Sequence, residues 1–450
     1  MNIFKLVPLI LCYHKVMTLS QSLNKDLLQP VALLVSIYYP PEPGGGSVTA
    51  WNRALILRKM GYAVFVLCGF PSYPTGKVSN PAYKGKLFHV EKTDGITLIR
   101  LRLLPIKSSG YLRRFILFIN FIFLSLIYMP KIQAVTTKVT LVYSIAPILF
   151  SSIIGFIYSR LTKSFFIYEV SAIWPEELIS TRTSIHFIVE FLGKILAKIS
   201  YCLPDMIVVI SEFAAKYIAN HYKPNVKIYV LPIGVEPSRF PILSKGSARK
   251  KLIEEKIFPS FLENKFIILY AGIITKTTKV QNIINAAEIL KDDESNIAFV
   301  IVGEGEEKIR LEKIKMAQRL DNVFFLPFQA GYLVPYIISS ADVCVVPLSS
   351  EPIYEGVIPT KFFDYLACHK PQIGICGAEL AKIINVNKIG ITVNDGELHK
   401  LVDAILCLKS SPSLIQSMEE NSKSLLQYYS LTSLSSEFKE ALKKEISKKI

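Results

Sequence analysis

Two acidic side chains and a lysine stand close together in the stretch EGVIPTKFFDYLACHKP, residues 355–371. Glu355, Lys361 and Asp364 could between them hold a ligand rich in hydroxyls and neutralise a phosphate carried on it. Carboxylates accept hydrogen bonds from hydroxyls, and a lysine ammonium is a mobile counter-charge for an anion. Taken singly, each has an ordinary reading, because acidic residues near a helix start are often solvated caps. The surrounding elements carry more information. DVCVVPL (342–348) is a short β-branched run that predicts a buried strand entering a loop. After that loop Pro359 suits the first turn of a helix, with Phe362, Phe363, Leu366 and Ala367 on one face. His369, Lys370 and Pro371 stop the helix, and PQIGIC begins another strand. Glu355 is thereby placed in a loop at the carboxyl end of a strand, with Lys361 and Asp364 in the first turns of the next helix. Ligands of open α/β sheets gather at that edge, and a helix N-terminus favours anions.

The same strand, loop and helix pattern recurs elsewhere. A strand over 31–37 leads into Gly44, Gly45, Gly46 and Ser47, then a helix over 48–60 and a strand over 63–67. Glycines ahead of a helix let backbone N–H groups approach a ligand closely. The G-x-G-x-x-G fingerprint is missing and no acidic residue closes the second strand, which disfavours a nicotinamide dinucleotide. A strand over 266–271 meets Gly272 and then a Thr/Lys loop holding Lys276 and Lys279. A loop lysine is usually solvated, and the strand, glycine, loop and helix setting makes an anion contact an equal reading. The turn Gly303-Glu304-Gly305 either lies against a nucleotide or only turns the chain, and Pro327-Phe328 follows the next strand.

At 450 residues two domains are expected, and 51% apolar residues with a mean hydropathy of +0.36 leave ample core for both. The net charge of +16 calls for an anionic partner: nucleic acid, anionic lipid or a phosphorylated substrate. The cations are not interleaved with aromatics along a nucleic-acid module, so nucleic acid is set aside. Seven scattered cysteines without C-x-x-C or His/Cys ligand spacing argue against a disulfide framework and against structural zinc, and for a reducing, cytosolic setting. Residues 1–29 read as an N-terminal extension; their apolar patch, 6–12, is short and lacks a small-residue cleavage site.

Arg100, Arg102, Lys107, Arg113 and Arg114 precede FILFINFIFLSLIYMP, residues 115–130. As a helix this run is about 24 Å long, short of the roughly 20 residues that cross a bilayer. A buried core helix, an interfacial helix and a true span remain open; the basic cluster favours attachment to an anionic leaflet, with Arg113, Arg114 and Phe115 at the membrane and acceptor side. Residues 139–158 resolve as a strand and a helix. FFIYEVSAIWPEELIS (165–180) is a strand ending near Glu169, followed by a loop with Trp174, Pro175 and Glu176, and His186 belongs to the next helix. Ser211 caps a helix after the strand in PDMIVVIS, and SKGSARKKLIEEK is a polar helix.

The stretch EGVxPTKFFDYLACHKP resembles the E-x7-E region of retaining, nucleotide-sugar-dependent glycosyltransferases of family 4, in the subgroup that makes membrane-linked surface polysaccharides. YYPPExGGGS, the strand and W-P-E loop, KIYVLPIGVEPSRF and the second Gly–Lys loop resemble the family's segments in order, over about residues 30–425. Four departures stand out: Asp364 for the second Glu, His369 for Gly, Ala172 for Asp and Ile233 for Asn. The resemblance implies an α/β chain of the GT-B fold, two Rossmann-like domains facing across a cleft. It implies an acceptor-side domain over 30–237, a linker over 238–263, a nucleotide-sugar domain over 264–425, and a last helix over 426–450 packing back on the first domain.

For the site, it implies that Lys276, Lys279 and Lys361 bind the donor diphosphate. Asp364 takes ribose hydroxyls, Gly303, Pro327 and Phe328 flank the nucleotide, and Gly44 to Ser47 line the cleft. Glu355 orients the donor sugar, and Glu176 is the second catalytic candidate. No metal and no cofactor is implied, since the lysines neutralise the leaving group. The donor is a nucleoside diphosphate sugar, UDP-linked, and the acceptor is lipid-linked or a saccharide, met by a cytoplasmic enzyme peripheral on the inner face of the cell membrane. A nucleotide-sugar 2-epimerase and a catalytically silent, membrane-associated partner subunit are the rival readings.

Overall fold

The computed structural model describes residues 29–72, 76–78, 80–106, 111–146, 150–171, 173, 186–292 and 294–449. They form two compact units. The first takes the chain up to Val209 with Tyr217–Val230 and Ser435–Ile450, and the second takes Ile210–Lys216 and Leu231–Leu434. The α/β class expected from the sequence is the class found.

In the first unit the strands are β1 (Val31–Val35), β2 (Ala63–Gly69), β3 (Phe88–Thr93), β4 (Ile96–Leu101), β5 (Val139–Ile145), β6 (Phe165–Val170), β7 (Met206–Val209) and β8 (Lys227–Val230). They lie in the order β3-β4-β2-β1-β5-β6-β7-β8, parallel except for the antiparallel β3–β4 pair. The inner strands are buried along nearly their whole length, which is why they read as continuous apolar runs rather than alternating ones. The helix Gly45–Lys59 starts three residues earlier than the apolar pattern suggests. Gly44, at φ 112°, turns the chain into it, so the glycines themselves form the first turn.

The centre of this unit is polar. Arg53, from that helix, donates to both carboxylate oxygens of Glu169 at 2.7 and 3.1 Å, and the Tyr143 hydroxyl donates to the same group at 2.6 Å. All three side chains are buried. Glu169 is therefore spent on holding helix to sheet. Arg100 is likewise internal: it donates to Glu91 at 2.5 Å and to the carbonyls of Gly69 and Pro40. The cationic cluster expected before residue 115 thus loses a member, because β4 is an interior strand and its side chains have no water to face.

The second unit has β9 (Phe266–Ala271), β10 (Ile297–Val302), β11 (Val323–Leu326), β12 (Val343–Pro347), β13 (Gln372–Ile375) and β14 (Gly390–Val393), all parallel, in the order β11-β10-β9-β12-β13-β14. The chain winds outward one way from β9 and the other way from β12, so the loops after these two strands part and leave a crevice. Residues 238–263, expected as a linker, are built into this unit. Ser244 caps the helix Lys245–Glu254, and its buried Arg249 donates to Asp342 at 2.7 Å and to the carbonyls of Ser340 and Glu263. The polar residues that suggested a linker cover one face only; Ala248, Arg249 and Leu252 are inside.

Candidate functional site

The residues singled out in the C-terminal half come together at the carboxyl ends of β9, β10, β12 and β13, within the second unit. Lys361 lies on the helix Thr360–Ala367, which follows the loop after β12. Its ammonium donates to the Tyr270 hydroxyl at 3.0 Å and stands 4.3 Å above that ring's centroid. Tyr270 in turn donates to the Ile273 carbonyl at 2.6 Å, so the last turn of β9 fixes the lysine's position. The helix is amphipathic: Phe362, Phe363, Tyr365, Leu366 and Ala367 are buried, and the Tyr365 hydroxyl accepts from Ala271 N at 2.8 Å. That buried face docks the helix beside β9 and turns Lys361 toward the loop.

Backbone closeness shapes the crevice. A Cβ on Gly272 would meet Lys361 Cε at 2.9 Å, and one on Gly303 would lie 1.9 Å from the Gly272 carbonyl oxygen. A Cβ on Gly305 would lie 2.0 Å from the Ile273 neighbour Ile274's oxygen. The turn after β10 therefore presses backbone to backbone on the loop after β9, and Ile274 N donates to Glu304 O at 2.9 Å. No side chain fits between, which is the physical reason for glycines at these places.

Lys276 and Lys279 lie in the loop that follows, and their situations differ. Lys279 is 3.6 Å from Asp395, a carboxylate that also accepts from Asn282 at 2.9 Å. Lys276 is exposed and has no ion pair or hydrogen bond among the described residues. The loop is stiffened by its threonines: the Thr278 hydroxyl accepts from Thr275 N and donates to Thr275 O, both at 2.9 Å. Ser349 N, just past β12, donates to Thr277 O at 2.8 Å and joins the two loops.

Glu355 is held by its backbone and free at its carboxylate. Its carbonyl accepts from Glu379 N at 3.0 Å, and a Cβ on Gly377 would lie 2.8 Å from its Cα. This seats Glu355 at the start of the helix Ala378–Val386, and the carboxylate has no partner among the described residues. Burial pushes the Asp364 carboxyl up to about 6, against the pull of Arg239 and Lys361. It accepts no hydrogen bond among the described residues and is poised for an outside donor such as a hydroxyl. Phe328 is an exposed ring past β11, beside Pro327, whose carbonyl accepts from Gln329.

In the first unit, Gly45 and Gly46 are exposed at the start of their helix, and the Ser47 hydroxyl is buried without a hydrogen-bond partner. Arg113 and Phe115 are exposed on the helix Tyr111–Ile127, which also carries Arg114. Glu176, Ala172 and the W-P-E loop lie outside the described residues, and so does the side chain of His186. Sequence reasoning missed Tyr270, Arg239 and Asp395 as neighbours of the site. The first had a signal, a hydroxyl-bearing side chain in an otherwise apolar strand two residues before a glycine; the others had none.

Comparison with known proteins agrees with this architecture. Residues 253–425 match the family model of glycosyl transferases group 1. The chain is similar to the "Putative colanic acid biosynthesis glycosyl transferase WcaI" of Escherichia coli (strain K12), 35% identical over 105 residues, which are 23% of this chain and 25% of that protein. The curated relatives it matches are spanned over between a quarter and somewhat more than half of their length. Among solved structures, the sucrose-phosphate synthase of Thermosynechococcus elongatus superposes with a TM-score of 0.73 at 15% identity, over 93% of this chain and 100% of that one. HepE of Anabaena in complex with UDP-glucose gives 0.64 at 15%, over 92% and 99%. With the two doubly wound sheets, these findings give the chain the GT-B fold, and residues 253–425 are similar to the glycosyl transferases group 1.

Proposed function

We propose that this chain is a retaining glycosyltransferase that moves a sugar from a nucleoside diphosphate donor, UDP-linked, to a lipid-linked or saccharide acceptor in cell-surface glycan assembly. The observation that carries the reading is the tyrosine-seated Lys361 beside Gly272, with the unpaired Lys276 and Glu355 on loops at the same sheet edge. The HepE complex and the relative named for colanic acid biosynthesis support the donor class and the biosynthetic setting.

On this reading Lys361 and Lys276 bind the diphosphate and take up the charge that develops on it. The bond from the anomeric carbon to the leaving phosphate oxygen breaks as the acceptor oxygen bonds to the same face. The acceptor proton goes to the departing diphosphate, so a strong enzymatic base is dispensable and Ala172 is compatible with turnover. Glu355 orients the donor sugar and stabilises positive charge at the anomeric carbon. Asp364 takes the ribose hydroxyls, and the lysines stand where another enzyme would use a metal ion. The reaction would run at the cytoplasmic face of a membrane.

The test is a thermal-shift screen of nucleoside diphosphate sugars. One donor is expected to raise the midpoint, Lys361→Ala to remove that shift, and Glu355→Gln to keep it while lowering turnover at least about a hundredfold. Binding without turnover that Glu355→Gln leaves unchanged would favour the silent partner subunit. Conversion of the donor with no acceptor present would favour the epimerase.

A further inference from the structure

The large apolar side chains exposed in the first unit are concentrated on one layer of helices. Along Tyr111–Ile127, Phe115, Ile119, Phe123 and Ile127 recur every fourth residue and are all exposed, Phe123 by 60%. Leu117, Phe118 and Phe121 of the same helix are buried, so it lies on the protein with one apolar face inward and another outward. Phe191, Ile195 and Ile199 make a second outward stripe along His186–Cys202, with the same spacing. Between the two runs Phe150–Thr162, which packs against both and shows Leu161 to the outside. A soluble surface seldom leaves so continuous an apolar area uncovered.

Along the first two of these helices in chain order the charges have one sign, and on the third Glu190 stands with Lys194 and Lys198. No Asp or Glu stands anywhere between Asp94 and Glu169, a stretch that includes two of the three helices. Arg113, Arg160, Lys163, Lys194 and Lys198 are exposed on or beside the layer, and the Arg160 guanidinium lies 4.8 Å from the Phe156 ring centroid. Cations flanking an apolar face match an anionic lipid surface, where the rings enter the acyl boundary and the cations meet the headgroups. Among the described residues no single helix is long and apolar enough to cross a membrane. Phe115–Ile127 and Met129–Thr136 pass together only across a bend of 65°, after which Ile132, Val135 and Thr136 are buried. The geometry points to a lipid-seating face made of three helices, on which the first unit rests on an anionic bilayer without crossing it. This reading stands apart from the donor site: sugar-nucleotide binding by the second unit can fail while the lipid face holds, and the reverse.

The experiment is co-sedimentation of the full chain with vesicles of phosphatidylcholine alone and of phosphatidylcholine with one third phosphatidylglycerol, at low and high salt. Binding to the anionic vesicles is expected, weaker on the neutral ones and weakened by salt. The double variant Phe123→Ser, Phe191→Ser is expected to lose about tenfold in affinity for each ring removed. A far-UV circular dichroism spectrum and a thermal midpoint matching those of the parent chain are the check that it folds. Equal binding of variant and parent, or no preference for anionic vesicles, would overturn the proposal. So would an absence of vesicle binding together with a dimer that the same substitutions dissociate, since the face would then be covered by a second copy of the chain.

Discussion

Asp364 illustrates how one atom group ties stability to pH. Its carboxyl titrates at about 6 in the folded chain, above its ordinary value of 3.8, because burial disfavours the charged form. The folded state then holds a proton that the unfolded state has released between those two pH values. Stability is fully present below about 4 and is lost as pH rises to about 6, by on the order of 1–3 kcal/mol. Asp364→Asn should remove this slope, measured by denaturant unfolding from pH 4 to 7. On the proposed function, donor affinity should run the other way in the parent chain, falling as pH drops through about 6, because the carboxylate is a stronger acceptor for hydroxyls than the protonated group. The identity of Asp364 was legible in the sequence, but its neighbour Arg239 was not. Nothing in a linear pattern relates residues so far apart, and the same is true of Lys361 and Tyr270.

At the scale of the element, the legible parts are those whose partner is the rest of the same segment. The strand over 266–271 matches its β-branched run to the residue, and Ser211 caps its helix by accepting from Ala214 N. Misreadings fall where a tertiary neighbour decides. Arg100 reads as a member of a basic cluster and is interior; 238–263 read as linker and are packed. The glycine turns at the site occupy a middle ground, since their presence was visible but their tolerance was not. Gly303→Ala puts a methyl against a backbone oxygen that has nowhere to move and should cost about 2–4 kcal/mol, with loss of the donor-induced shift. Gly331→Ala, where a Cβ meets nothing within 4 Å, should be near neutral in the same denaturant titration.

For the whole molecule, two doubly wound units were legible from the repeated strand, glycine loop and helix order, and the return of the last helix to the first unit from the family resemblance; the crossing of Ile210–Lys216 into the second unit was not. Residues from position 435 onward fall in the first unit. There Phe438, fully buried, lies edge-on to Tyr143 at 6.4 Å and against Tyr229 at 5.3 Å, and Lys449 pairs with Asp205 at 2.5 Å. Phe438→Ala should cost the first unit about 3–5 kcal/mol. Hydrogen exchange should show it as lost protection in β5 and β8, with nucleotide binding by the second unit retained.

The position of Phe438 also bears on the order in which the chain can mature during synthesis. Domains made first are usually able to fold first, while the ribosome is still working downstream. Here the sheet of β1–β8 lacks the Phe438 ring against Tyr143 and Tyr229 until the second unit has been made. The first unit then waits for the second to be made before its own packing is complete, and its apolar surfaces must be shielded throughout that wait.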